Sequence, residues 1–274
     1  MELKLGHTPD ADDAFMFYGI NSGKIETPHF TITQIIEDIE SLNRRMLNHE
    51  LDVTAISAHA YAYSKNYVVL HTGASFGIKY GPIVISKNRL SLQDLRKCTI
   101  AIPGKMTSAN LLLNLVLGRF KSEEIPFHQI PDAVLSNRVE AGLIIHESQI
   151  TYRDSKLFNI LDLGCWWDKI TNGLPVPLGI NVASKKALTS DQIRQFDSLF
   201  KRSILYGLDN IDAAVEYAMR YGRGHPKEVI SKFIKMYVNN LTIDMGESGV
   251  KALKKIFTMA EEKGILSNVV LNFY

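Results

Sequence analysis

Short apolar strands and amphipathic helices take turns along the first two thirds of the chain, and this alternation limits the fold more than any other feature. Apolar or alternating segments that read as strands cover residues 2–7, 30–35, 51–57, 67–70, 81–86, 98–102, 142–146 and 157–163. Helical patterns fall between them, through Phe15, Phe17 and Tyr18 and over about 38–48, 107–119 and 132–141, the last opened by Pro131 in its first turn. Strands interleaved with helices predict an α/β fold with a largely parallel sheet. From Thr189 the period changes. Ile193, Phe196, Phe200, Ile204 and Leu208 recur on one helical face, and further helices are expected over 211–221, 226–238 and 245–263, the last stopped by Gly264.

Length and charge narrow the function classes. A chain of 274 residues makes one or two domains, and 46% apolar residues are ample for a core. Its 31 basic and 29 acidic residues leave a net charge of +2 with no long block of either sign, which gives no reason to expect nucleic acid or an anionic membrane as partner. Cys98 and Cys165 have no CxxC spacing and read as reduced, buried residues of a cytosolic protein. The start of the chain alternates polar and apolar residues, unlike a secretory signal, and the run 111–117 is far too short for a membrane span. A cytoplasmic protein is expected.

Gly81-Pro-Ile-Val-Ile-Ser-Lys87 and Leu178-Gly-Ile-Asn-Val-Ala-Ser-Lys185 echo each other. They are expected either as paired hinge strands bracketing an inserted lobe or as unrelated core strands. The first reading divides the chain into a larger lobe (1–87 plus 181–274) and a smaller one (88–180), with Gly81, Gly173 and Gly179 near the crossovers to permit rotation.

Four stretches carry candidate chemistry. In His7–Tyr18, Asp12 or Asp13 can cap the following helix, and three acids so close in sequence do not converge easily on one metal ion. Ser57 closes a strand where it is either a cleft donor or an N-cap, and His59 among alanines reads as a packed, satisfied histidine. The loop Pro103–Thr107 runs into a helix whose first turn offers hydroxyls, backbone N–H groups and a positive dipole end, suited to a carboxylate, with Lys105 beside it; capping by Thr107 or Ser108 alone explains the same residues. His146 ends an apolar strand, where ligands gather in open α/β sheets. No P-loop, GxGxxG or Ser/His/Asp order is present.

Taken together, the His7–Tyr18 run, Ser57-Ala-His-Ala-Tyr, Gly81-Pro-Ile-Val-Ile-Ser, the 103–111 loop, Gly142-Leu-Ile-Ile-His-Glu and Gly173-Leu-Pro-Val-Pro-Leu-Gly179 resemble the 1,4-dihydroxy-6-naphthoate synthases of the futalosine route to menaquinone. The resemblance runs in register from residue 1 to about 185. It implies a two-lobed fold like a type II periplasmic binding protein with a helical C-terminal part, working inside the cell as a lyase. It also implies cleavage of a carbon–carbon bond in cyclic dehypoxanthine futalosine, a small-molecule carboxylate, without metal or organic cofactor. By motif correspondence His146 is the catalytic base, while Ala55, Ile56, Ser57, Thr107 and Ser108 contact substrate. Some members carry Ser-Pro-Cys-Pro-Asn-Asp where this chain has Thr-Pro-Asp-Ala-Asp-Asp, so Asp13 keeps its place and is expected among the substrate-binding residues, while Asp10 and Asp12 receive no role. A solute-binding protein of the same fold and the sibling enzyme that dehydrates chorismate are the competing expectations.

Overall fold

The computed structural model describes residues 1–274 and contains two sheets. The strands are β1 (Glu2–His7), β2 (Thr31–Ile36), β3 (Val53–Ser57), β4 (Tyr67–Val69), β5 (Ser75–Gly77), β6 (Ile83–Ser86), β7 (Thr99–Ile102), β8 (Lys121–Glu124), β9 (Ala141–Ile144), β10 (Phe158–Asp162) and β11 (Val176–Ser184). The first sheet runs β2-β1-β3-β11-β4 with β5 also on β11, and the second runs β10-β6-β9-β7-β8.

Both sheets are mixed, which corrects the expectation of largely parallel pairing. β2, β1 and β3 are parallel, whereas β11 lies antiparallel to β3, β4 and β5. In the second sheet β8, β7 and β9 are parallel and β6 and β10 antiparallel. A returning strand needs no helical crossover, so an antiparallel β11 can enter the first sheet between β3 and β4 where the chain comes back from the second. The echoed segments 81–87 and 178–185 do not pair. β6 belongs to the second sheet and β11 to the first, and the chain passes between sheets after Gly77 and again after Asp162.

At the crossings, main chain meets main chain. A Cβ on Gly81 would lie 3.1 Å from Gly164 Cα, and one on Gly164 would lie 2.2 Å from the Tyr80 carbonyl carbon. Only glycine fits this approach. Helix Leu163–Thr171 starts here, capped by the Asp162 carboxylate, and sends Trp167 into the core, while Cys165 faces solvent rather than being buried as expected.

Helix Ser108–Leu117 joins the two halves. Leu111, Leu112, Leu113 and Leu115 belong to one cluster of 34 buried residues that also holds Ile56 and Val182 of the first sheet and Ile100 and Leu143 of the second. The C-terminal helices then fix the opening loop. Helix Ser190–Asp209 starts with a reciprocal Thr189–Gln192 capping box and buries Phe196, Phe200 and Ile204. Phe200 stacks on Phe17 at 4.3 Å, and the Ser203 hydroxyl donates to the Met16 carbonyl at 2.8 Å. The loop and helix Ala11–Met16 are therefore seated by side chains nearly 190 residues further along the chain (separation 187). No helix is long and apolar enough to cross a membrane.

Candidate active site

A cleft open to solvent lies between the sheets and is lined by residues of both. One wall carries Thr8 and Asp10 from the loop after β1, Asp12 and Asp13 from the first turn of helix Ala11–Met16, Ala55 and Ser57 from β3, and Leu178 to Asn181 from β11. The other carries Thr107 to Ala109 at a helix start and Ile145, His146 and Gln149 beyond β9, while Phe233 and Tyr237 come from helix Lys227–Tyr237. The sequence-derived set therefore converges, except Ile56. Side chains alternate along a strand: Ala55 and Ser57 face the cleft, and Ile56 is fully buried in the core behind them.

His146 lies two residues past the end of β9, with φ of 60°. A non-glycine residue in that left-handed region costs about 1–3 kcal/mol and persists only where its surroundings hold it. With the Gln149 amide turned to the orientation its neighbours require, its oxygen accepts from the His146 backbone N–H at 3.2 Å and its nitrogen donates to the Gly81 carbonyl at 2.8 Å. The ring packs edge-on against Phe127 at 4.4 Å. Its Nδ1 stands 3.4 Å from Asp10 Oδ2, so a buried carboxylate lies within ion-pair reach of one ring nitrogen and Nε2 has no protein partner.

The opening acids divide their work. Asp10 occupies the N-cap position of helix Ala11–Met16 but its carboxylate caps nothing, turning instead to His146 and Arg223. Burial pushes its carboxyl up, and the opposing charges of His146 and Arg223 more than cancel that and hold it below the usual range. Asp13 accepts from the Thr8 N–H at 2.7 Å and the Thr8 hydroxyl at 2.8 Å, so it pins the loop as well as lining the cleft. Asp12 meets only the Ser75 hydroxyl, at 3.4 Å, and burial, then Asp13, Asp10 and Glu147, raise its carboxyl well above the usual range. Neither Asp12 nor Asp13 caps the helix as expected.

The donors facing these acids are partly main chain. The Thr107 hydroxyl donates to the Gly104 carbonyl at 2.8 Å and accepts from the Asn110 N–H, and the Ser108 hydroxyl donates to the Leu178 carbonyl. Both hydroxyl protons are thus engaged, and what this helix start presents to the cleft is the N–H groups of Ser108 and Ala109. Lys105 turns away to Glu124 at 3.1 Å. Ser57 keeps a free proton, because its Oγ accepts from the Asn43 side chain at 3.2 Å while Asn43 Oδ1 accepts the Ser57 N–H at 2.9 Å. His59 is buried and only half satisfied: Nδ1 meets the Thr107 carbonyl at 3.3 Å, and Nε2 has no partner. Asn181 Oδ1, also buried in the cleft wall, lacks one too.

Residues 3–262 match a protein-family model described as menaquinone biosynthesis. The chain belongs to that family. It is 37% identical over 264 residues to the 1,4-dihydroxy-6-naphtoate synthase of Thermus thermophilus, covering 96% of this chain and 95% of that protein. A crystal structure of an Archaeoglobus fulgidus protein superposes with a TM-score of 0.92 at 47% identity, covering 97% of this chain and 98% of that one. A Candida albicans protein described as having the generic periplasmic binding protein fold superposes with a TM-score of 0.71 at 17% identity, over 100% of this chain and 98% of that one. The two-lobed, periplasmic-binding-protein-like architecture is therefore the fold of this menaquinone biosynthesis family member.

Proposed function

We propose that this chain is a 1,4-dihydroxy-6-naphthoate synthase, a carbon–carbon lyase acting on cyclic dehypoxanthine futalosine with His146 as general base. One observation carries the reading: His146 lines the cleft with the buried Asp10 carboxylate 3.4 Å from its Nδ1, and the same cleft is lined by the helix start at Ser108 and Ala109 and by Ser57. Nε2 takes the proton of a substrate hydroxyl. The oxygen's electron pair becomes a carbonyl as the adjacent carbon–carbon bond breaks, and the bonding pair passes into the departing conjugated fragment. Ser57 is placed to donate to the negative charge that develops, and the N–H groups of Ser108 and Ala109 to hold the substrate carboxylate.

Purified protein offered cyclic dehypoxanthine futalosine and, separately, chorismate should consume only the first. Consumption of chorismate alone assigns the sibling dehydratase reaction, and tight binding of either compound without turnover assigns a solute-binding role. Replacing His146 by Asn, which tolerates the same left-handed backbone, should lower turnover about 10²–10⁴-fold with ligand affinity nearly unchanged. Wild-type turnover in that variant overturns the role of His146.

A further inference from the structure

Arg223 is absent from every motif above, yet it touches both sides of the His146 environment. It follows the turn Met219–Tyr221, and two consecutive left-handed residues, Arg223 with φ of 47° and Gly224 with φ of 79°, bend the chain before helix Lys227–Tyr237. The guanidinium donates to the Pro9 carbonyl at 2.8 Å and to Asp10 Oδ1. Its other terminal nitrogen lies 3.5 Å from Glu147 Oε2, next in sequence to His146. Its plane covers Phe127 at 4.6 Å, and Phe127 is the ring packed edge-on against His146.

The Asp10 carboxylate is therefore shared. Oδ1 belongs to Arg223 and Oδ2 faces His146 Nδ1, with Asp10 98% buried (2% exposed), so no solvent competes for either oxygen. A carboxylate held at one oxygen by a guanidinium nitrogen that is itself tied to the Pro9 carbonyl cannot spin freely, and the second oxygen is left in a fixed place. We infer that Arg223 is a positioning residue for His146: by clamping Asp10 and Phe127 it fixes the imidazole in the tautomer that carries its proton on Nδ1 and its lone pair on Nε2. The inference rests on His146 being the base, but its first readout needs no substrate.

The effect of charge alone is separable from the effect of the planar guanidinium. Lysine at this position brings a cation to Asp10 without a second nitrogen for Glu147 or a planar face for Phe127. Glutamine removes the charge and keeps hydrogen-bonding capacity.

The test compares wild type, Arg223→Lys and Arg223→Gln. Nitrogen-15 spectra of the histidine ring, assigned with His146→Asn, report the tautomer of the free protein, and steady-state assays separate kcat from KM. The wild type should show a single Nδ1–H tautomer. Arg223→Gln should show mixed tautomers, with kcat lower by about tenfold or more and KM within about twofold, as expected for lost orientation rather than lost binding. Arg223→Lys should fall between. If the Gln variant does not fold, the Lys variant decides: mixed tautomers and a kcat loss of about threefold or more support the role. A single wild-type tautomer with undiminished kcat in the folded variants overturns it. Should wild type leave the cyclic nucleoside unconsumed, the proposed function fails, while the tautomer comparison still tests the link from Arg223 to His146.

Discussion

Asn43 grips Ser57 at two points, accepting its N–H at 2.9 Å and donating to its hydroxyl oxygen at 3.2 Å. Asn43 is fully buried and comes from helix Ile39–Leu47, so a residue outside the cleft decides where a cleft hydroxyl points its proton. The same Asn43 amide also donates to Glu40, which accepts the Met106 N–H near the second helix tip.

Asn43→Leu should therefore act twice. Removing the partner of a buried N–H costs about 1–3 kcal/mol, visible in a denaturant melt. Freeing the Ser57 hydroxyl should lower kcat/KM by about tenfold or more in the cleavage assay. Unchanged kinetics would show that the orientation of Ser57 has no bearing on the reaction.

Ser108 separates a side-chain role from a main-chain one. Ser108→Ala removes only the hydroxyl that donates to Leu178. Ser108→Pro also removes the N–H, and proline is well suited to the first helical position after Thr107, whose ψ of 146° is already extended. KM should rise about tenfold more in the proline variant than in the alanine variant, because a charged acceptor loses a donor. Equal KM values would remove the N–H from carboxylate binding.

Asp12→Asn should stabilise the protein at neutral pH. Burial, followed by Asp13, Asp10 and Glu147, raises the native carboxyl above its ordinary value of 3.8. The unfolded state therefore gives up its proton first as pH rises, and stability falls from that value upward through the raised native one. The amide removes this loss, so its advantage should be present at about pH 7 and vanish near pH 3.8 in parallel denaturant melts. An advantage that persists under acid conditions would assign it to packing instead.

His59 makes the opposite demand. Burial lowers its ring from an ordinary value of 6.5 to about 4, with the Thr107 carbonyl opposing. The unfolded chain takes up the proton first on acidification, so stability present above 6.5 is lost between 6.5 and about 4. In His59→Leu that part of the acid slope should be missing from melting temperatures measured across this window. A slope identical to wild type would place the loss on other groups.

Much of this site was legible in the sequence, for reasons that can be located. Ser57, Thr107 and His146 each sit beside a strand end or helix start, where local pattern shows both the element and its terminus. The departures are equally local in cause. Ile56 was carried over between Ala55 and Ser57, although strand alternation already sends it to the opposite face. β8 carries no strand signal because Lys121-Ser-Glu-Glu is an edge strand with charged, mostly exposed residues, and β5 none because Ser75-Phe-Gly77 holds one large apolar residue, unlike the equally short Tyr67-Val-Val69 of β4. Arg223 could not be seen at all, since its partner Asp10 is 213 residues away and no spacing rule links them. Asn43 carries no sign in its own helix, where it reads as one more polar position.

The bare contact of Gly81 with Gly164 sets the thickness of the seam between the two halves. With no side chain wedged there, a swing of one half against the other meets peptide planes at this point of the seam. An added methyl at either position would prop the seam apart, and the aperture of the mouth, rather than its chemistry, would be the first property to change.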